Sequence, residues 1–339
     1  MTNIGIIGAS GYTGLELIKM LINHPKFKIS YLATTTGDIL IDALHPSLKN
    51  TIKLSVDKID IKDIEKKCKL VFLALPHQTS MRYAKKLLKK NIKVIDLSAD
   101  YRLELDNYEK YYCKHTDKKN LNNATYGLIE YYKEEIKNTN LIAGPGCYPT
   151  ATLLAILPLM PYIDEKLNIF IDAKSGVSGA GKKLSENTHF VNMNDNIFAY
   201  NPLKHRHQPE IQEKIKSIHN VDTNINFVPH LIPATRGELV SIYATLKKDI
   251  NPDINLLEIL KVHYKDDKFI RIRDNPVDIK STSGTHFCDI YASSNGDALF
   301  INSSIDNLLR GASSQALVCA NLMCGYKEEL GVPNIAYVP

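Results

Sequence analysis

Through the first third of the chain, short apolar runs alternate with stretches whose apolar residues fall three and four apart. NIGIIG at 3–8, KISYLA at 28–33, LVFLALP at 70–76 and KVIDLS at 93–98 read as strands. The part of NIGIIGASGYTGLELIKMLINHP that follows its glycines, the region around Ile59–Cys68 and the region around Gln78–Lys89 carry the helical spacing. Strand and helix in strict alternation predict an α/β domain with a doubly wound parallel sheet. Beyond residue 165 the pattern changes. NIFIDAK, NINFVPH, LVSIYATL, FIRIR, FCDIYAS and ALFINSSI alternate or run as strands with few helices between them, which predicts an α+β domain with a mixed sheet. The closing DNLLRGASSQALVCANLMCG reads as a long helix rich in small residues, suited to pack on the first domain. The expected division is 1–147, completed by a C-terminal helical segment 308–339, and 148–307.

The first strand ends in GASGYTG, with Gly8, Gly11 and Gly14 spaced three apart at the start of a helix. Without side chains, backbone amides approach a pyrophosphate at the helix amino end, so Gly8, Ser10, Gly11, Tyr12, Thr13 and Gly14 are candidate dinucleotide contacts. The second strand ends in ATTTG. An acid there would hold the ribose hydroxyls of NAD, whereas Thr34 and Thr35 present hydroxyls and no charge to repel a 2′-phosphate. The expected cofactor is NADP(H), with Asp38 as the counter-argument. LALPH puts His77 on a loop at the carboxyl edge of the sheet, where ligands bind; it reads as a loop residue, with a catalytic role as the alternative. In DLSADYRL, Arg102 offers a bidentate grip on a phosphate or carboxylate, or pairs with Asp100 at the surface.

GPGCYP, residues 144–149, sets a cysteine between glycines and prolines just before the helical run ATLLAILPL. Pro149 reads as the first helical position, where proline is pre-set, and the outward-pointing amides there favour a thiolate at Cys147. Downstream, SGVSGAGKK is a second glycine and serine loop, read either as a cofactor contact or as a flexible turn. HRHQPEI carries His205 and His207 ahead of a helix; two histidines with no acid or thiol at ligand spacing suit general acid–base work better than a metal, so none is expected. PHLIPATRGEL adds His230 and Arg236, the latter a candidate for an anionic substrate.

Composition narrows the function classes. At 339 residues the chain suits two domains, each with a substantial core. The net charge of +5 arises from lysines alternating with apolar residues, as in KKLLKKNIK, which are solvated helix faces; a nucleic-acid partner is not expected. The longest apolar stretch, Ala151 to Met160, is far short of a bilayer span. The start MTNIGIIGASG has none of the features of a signal peptide, and the expected location is cytoplasmic. Cys68, Cys113, Cys147, Cys288, Cys319 and Cys324 form no Cys-x-x-Cys pair, so reduced thiols are expected.

Taken together, GASGYTG, LALPH, DLSADYRL, AGPGCYPTA, SGVSGAGKK, HRHQPEI, PHLIPATRGEL and DNLLRGA resemble, in order along the whole chain, the N-acetyl-gamma-glutamyl-phosphate reductase family, in the superfamily of aspartate-semialdehyde dehydrogenase. The resemblance implies NADPH-dependent reduction of an acyl phosphate through a thioester on Cys147. A histidine of HRH serves as acid and base: His205 in this role and His207 orienting the substrate, or the reverse. It implies Ser178, Gly179, Gly181 and Asn307 near the nicotinamide, Arg102 and Arg236 as holders of the substrate's anionic groups, and a homodimer or homotetramer. Members often carry serine and arginine after the second strand, where this chain has threonines, and lysine where Arg310 stands. The rival readings are reduction of aspartyl phosphate or of a carrier-bound aminoadipyl phosphate, and a non-catalytic NADPH-binding regulator.

Overall fold

The computed structural model describes residues 1–251 and 254–337. They form two compact units, Met1–Pro145 with Ala312–Pro333, and Gly146–Gly311 with the described residues that follow Pro333. Cys147 thus stands in the second unit. Residues 338 and 339 of the expected C-terminal segment lie outside the described residues.

The first unit holds β1 (Thr2–Ile7), β2 (Phe27–Thr34), β3 (Ile39–Leu40), β4 (Ser55–Lys58), β5 (Leu70–Leu73), β6 (Lys93–Asp96), β7 (Thr125–Tyr126) and β8 (Leu141–Ala143). Their order is β3-β4-β2-β1-β5-β6-β8-β7, parallel throughout except for the β3–β4 pair. Successive strand residues enter different cores. Ile6 and Phe72 pack with Leu17, Leu21 and Leu317, while Ile7, Val71 and Leu73 pack with Met81, Ala84 and Leu87. A sheet buried on both faces is the physical meaning of the continuous apolar runs and of the doubly wound class. The returning helix, Ser314–Met323, lies on the first of these cores. It is shorter than the expected 308–339 helix. Gly325, with φ of 71°, takes the left-handed conformation after it, and the Tyr326 amide turns back to the Asn321 carbonyl at 2.8 Å.

The second unit holds β9 (Asn168–Gly176), β10 (Phe198–Ala199), β11 (Asn224–Ile232), β12 (Glu238–Thr245), β13 (Ile270–Ile272), β14 (Cys288–Asn295) and β15 (Ala298–Ile305), ordered β10-β11-β9-β12-β15-β14-β13. Two pairs, β9–β11 and β13–β14, are parallel and the rest antiparallel, so the sheet is mixed. One face is buried through Ile171, Val240, Ile242 and Ile301. The helix Cys147–Ile156 is anchored to it, the Ser303 hydroxyl donating to the Ala151 carbonyl at 2.9 Å. Among the described residues no helix is long and apolar enough to cross a membrane.

Candidate active site

In the first unit, the turn after β1 is built for close backbone approach. Gly8 has φ of 97°, and a Cβ there would stand 2.1 Å from the Ala74 carbonyl oxygen. A Cβ on Gly14 would stand 2.4 Å from the Gly8 carbonyl oxygen. The helix Tyr12–Ile22 begins at Gly11 with no side-chain cap and no acid in its first turn, so its leading amides suit an anion. This cradle fits a dinucleotide pyrophosphate. At the end of β2 the Thr34 hydroxyl accepts from the Gly37 amide at 2.9 Å and closes the turn, while Thr35 is exposed.

Arg102 is 5% exposed, so it is not the surface arginine of the second sequence reading. Nε donates to the Gly144 carbonyl at 2.6 Å and Nη2 to that of Leu97 at 2.9 Å, so the guanidinium clamps main chain within the first unit. Asp100, the alternative partner, instead accepts from the amides of Gln78 and Met81 and from the Tyr108 hydroxyl. His77 accepts from the Ala99 amide at 2.9 Å through Nδ1, a loop-holding role.

In the second unit, Cys147 is the first residue of its helix, half-buried, with Gly146 as an uncapped N-cap. Two close approaches fix its surroundings. A Cβ on Gly311, in the π-helical turn Leu309–Ser313, would lie 2.6 Å from Cys147 Cβ, and a Cβ on Gly146 would lie 2.6 Å from His207 Nε2. Glu210, buried and one turn beyond His207, accepts from the Gly146 amide at 2.9 Å. Arg310 is fully buried and donates to His286 Nε2 at 2.6 Å.

The two histidines stand differently. His205 lies in an aromatic box, with ring centroids 5.9 Å from Tyr148, 5.5 Å from Tyr200 and 5.4 Å from Phe227. Burial, aided by the charge of Arg206, pulls it down to about 4. Its Nδ1 accepts from the His207 amide at 3.2 Å. Burial thus keeps the His205 ring neutral at neutral pH. His207 is the histidine whose ring edge meets the backbone just before the thiol.

Asn307 bonds to the expected cofactor loop at Ser178 and to the main chain beside Arg236. Its Oδ1 accepts from the Gly237 amide at 2.9 Å and its Nδ2 donates to the Ser178 hydroxyl at 3.0 Å. Gly179 packs where a Cβ would meet Ser175 Oγ at 2.8 Å, and Gly181 follows the short 3-10 turn Val177–Ala180. Arg236 Nη1 is 3.3 Å from the buried Asp306 carboxylate. Glu210 and Glu238, both buried, were absent from the sequence reading. A signal for Glu210 was present, since it stands three residues after His207 on the same helix face.

Comparisons with known proteins agree along the chain. Residues 3–139 match the family described as semialdehyde dehydrogenase, NAD binding domain, and residues 147–307 match semialdehyde dehydrogenase, dimerisation domain. The N-acetyl-gamma-glutamyl-phosphate reductase of Sulfurovum sp. is 67% identical over 339 residues, all of both chains. That of Wolinella succinogenes is 56% identical, covering 99% of this chain and 98% of its own. Two solved structures share the fold. Aspartate semialdehyde dehydrogenase II from Vibrio cholerae has a TM-score of 0.71 at 16% identity, covering 96% of this chain and 99% of its own. Aspartate semialdehyde dehydrogenase with NADP from Candida albicans has a TM-score of 0.68 at 15% identity, covering 96% and 98%. A thiol at an uncapped helix start, a histidine against it and a glycine cradle for a dinucleotide thus coincide with full-length similarity, and the chain belongs to the N-acetyl-gamma-glutamyl-phosphate reductase family of the semialdehyde dehydrogenases.

Proposed function

We propose that the chain reduces N-acetyl-L-glutamyl 5-phosphate to N-acetyl-L-glutamate 5-semialdehyde, releasing phosphate, in arginine biosynthesis. The observation that carries this reading is Cys147 at the amino end of its helix with the His207 ring against Gly146. His207 takes the thiol proton, and the thiolate attacks the acyl carbon. The bond from that carbon to the phosphate oxygen breaks, leaving a thioester on Cys147. NADPH, when bound, supplies the hydride that reduces the thioester. The amides at the start of the Cys147 helix stabilise the oxyanion that results. As the carbon–sulfur bond breaks, His207 returns the proton to the departing sulfur and the aldehyde is released. His205 supports His207 from behind, its neutral ring holding the His207 amide.

Gly8, Ser10, Gly11, Tyr12, Thr13 and Gly14 are assigned to the dinucleotide phosphates, Thr34 and Thr35 to the ribose end, and Ser178, Gly179, Gly181 and Asn307 to the nicotinamide. Arg236 is assigned to an anionic group of the substrate, exchanging part of its pairing with Asp306. The match to a dimerisation domain supports a homodimer or homotetramer, and the expected setting is the cytoplasm.

The test is NADPH oxidation with three substrates: the N-acetylglutamyl phosphate, aspartyl phosphate and a carrier-bound aminoadipyl phosphate. Turnover confined to either of the last two overturns the assignment. For the histidines, His207→Gln is expected to lower kcat by about 10²- to 10⁴-fold, the usual worth of a general acid–base group, and His205→Asn to cost less. Steady-state rates across pH 6–9 for both variants check the order, and the opposite ranking reassigns the proton to His205.

A further inference from the structure

The buried face of the second unit's sheet carries an acid that the mechanism above leaves unused. Glu238 opens β12, is 0% exposed, and shares its face with Val240 and Ile242. Strand register places it. Val240 pairs with Ser303, whose hydroxyl holds the Ala151 carbonyl, one helical turn after Cys147. Glu238, two residues back along β12, pairs with Ile305 on one side and Ser175 on the other. Two residues of strand span about 6.6 Å and four residues of helix about 6 Å, so the step from Val240 to Glu238 matches the step from Ala151 to Cys147. Gly311 completes the link, since a Cβ there would stand 2.6 Å from Cys147 Cβ and 3.4 Å from Ile305 Cδ1.

The Glu238 carboxyl is therefore beside the Cys147 thiol. Neither of its oxygens has a hydrogen bond of normal geometry, to the thiol or to any other group. Tyr148, on the Cys147 helix, and Tyr200, on the segment before His205, face the same pair, and Asp306 with its partner Arg236 stands beyond the end of β15.

We propose that Glu238 is a positioning residue for the nucleophile, its buried carboxyl donating a hydrogen bond to the Cys147 sulfur as the thiol ionises. The inference rests on the reading of Cys147 as the nucleophile. The thiol proton still goes to His207; Glu238 keeps its own and changes only where the thiolate points and how readily it forms. Burial pushes Glu238 up to about 8, the thiol contact working against the rise and Asp306 adding to it. Below that range the carboxyl is neutral and donates. Above it, a carboxylate faces the sulfur and opposes ionisation, so the two groups titrate as a coupled pair.

The experiment is iodoacetamide alkylation of Cys147 in the full chain from pH 5 to 10, with the site quantified by peptide mass spectrometry. The wild-type rate is expected to rise in two steps. Glu238→Gln, which keeps a donor and cannot ionise, collapses the profile to one step. Glu238→Leu removes the donor and slows alkylation at pH 7 about tenfold, equivalent to one pKa unit on the thiol. A wild-type profile with one step, unchanged by Glu238→Gln, overturns the proposal. If the leucine variant fails to fold, the wild-type and glutamine profiles decide alone. Alkylation requires no substrate, so a chain inactive on N-acetylglutamyl phosphate refutes the proposed reaction without touching this result, and the reverse holds equally.

Discussion

Cys147→Ser is expected to abolish turnover, lowering kcat by about 10⁴-fold or more, while the NADPH dissociation constant stays within about twofold of wild type. The asymmetry follows from ionisation. A helix amino end stabilises a negative charge by about 0.3–2 kcal/mol, or up to about one and a half pKa units. That is enough to bring an ordinary thiol, near 8.5, close to neutrality, and far too little to ionise a serine hydroxyl. The substitution changes one atom at a half-buried position and leaves the glycine cradle, in the other unit, untouched. NADPH oxidation measures the first quantity and a fluorescence titration of NADPH the second. Turnover that survives the substitution removes the thioester mechanism. The same reasoning orders the thiols in the native chain: Cys288 and Cys319 are fully buried and Cys68 is pushed up to about 12 by burial, so Cys147 should alkylate well before these three.

Much of the frame was legible because the elements that carry it are long enough to show a period. The runs at 3–8, 28–33, 70–76 and 93–98 became β1, β2, β5 and β6, and each of the six runs read in the second domain contains a strand. The strands that escaped notice are short. β3, β7 and β10 have two residues each and β8 has three, too few for alternation to register, while the four-residue β4 buries only Val56 and so lacks the apolar run that marks β5 and β6. The close of the final helix was written in Gly325, the last residue of the quoted run, whose left-handed backbone ends it.

The candidate site was legible to the extent that local backbone chemistry sets it. A cysteine between glycine and proline at a helix start needs no tertiary information, and neither does a glycine turn after a strand. What was hidden depends on residues distant in sequence. His205 and His207 differ because Phe227 and Tyr200 wall in the first while Gly146 meets the second. Arg102 faces carbonyls supplied by loops after two different strands. Glu238 carries no local signal, and its burial on the sheet face that the Cys147 helix covers is a tertiary fact. Charged residues are rarely fully buried, so a sequence reading discounts Glu210, which holds the Gly146 amide, and Glu238.

Gly8→Ala is expected to produce the largest loss of stability among single-methyl additions in the nucleotide turn. The new Cβ meets the Ala74 carbonyl oxygen at 2.1 Å, a backbone atom that cannot swing aside, and the φ of 97° is strained for any residue with a side chain. Such backbone strain costs about 1–3 kcal/mol before the clash is counted, so a total of about 3 kcal/mol or more is expected. At about 2–4 °C per kcal/mol for a unit of this size, Tm falls by roughly 6–12 °C. Gly11→Ala is the control: its Cβ has only the Gly8 carbonyl oxygen within reach, at 3.7 Å, and its φ of −79° is ordinary. That change costs about 1 kcal/mol or less, the loss of a favourable N-cap residue. Gly11 caps the helix whose amides are assigned to the pyrophosphate, so its methyl should weaken NADPH binding out of proportion to the stability lost. Urea unfolding and NADPH titration of both variants separate the two roles. If Gly11→Ala destabilises the chain as much as Gly8→Ala, the turn is a packing device alone, and the anion cradle must lie elsewhere.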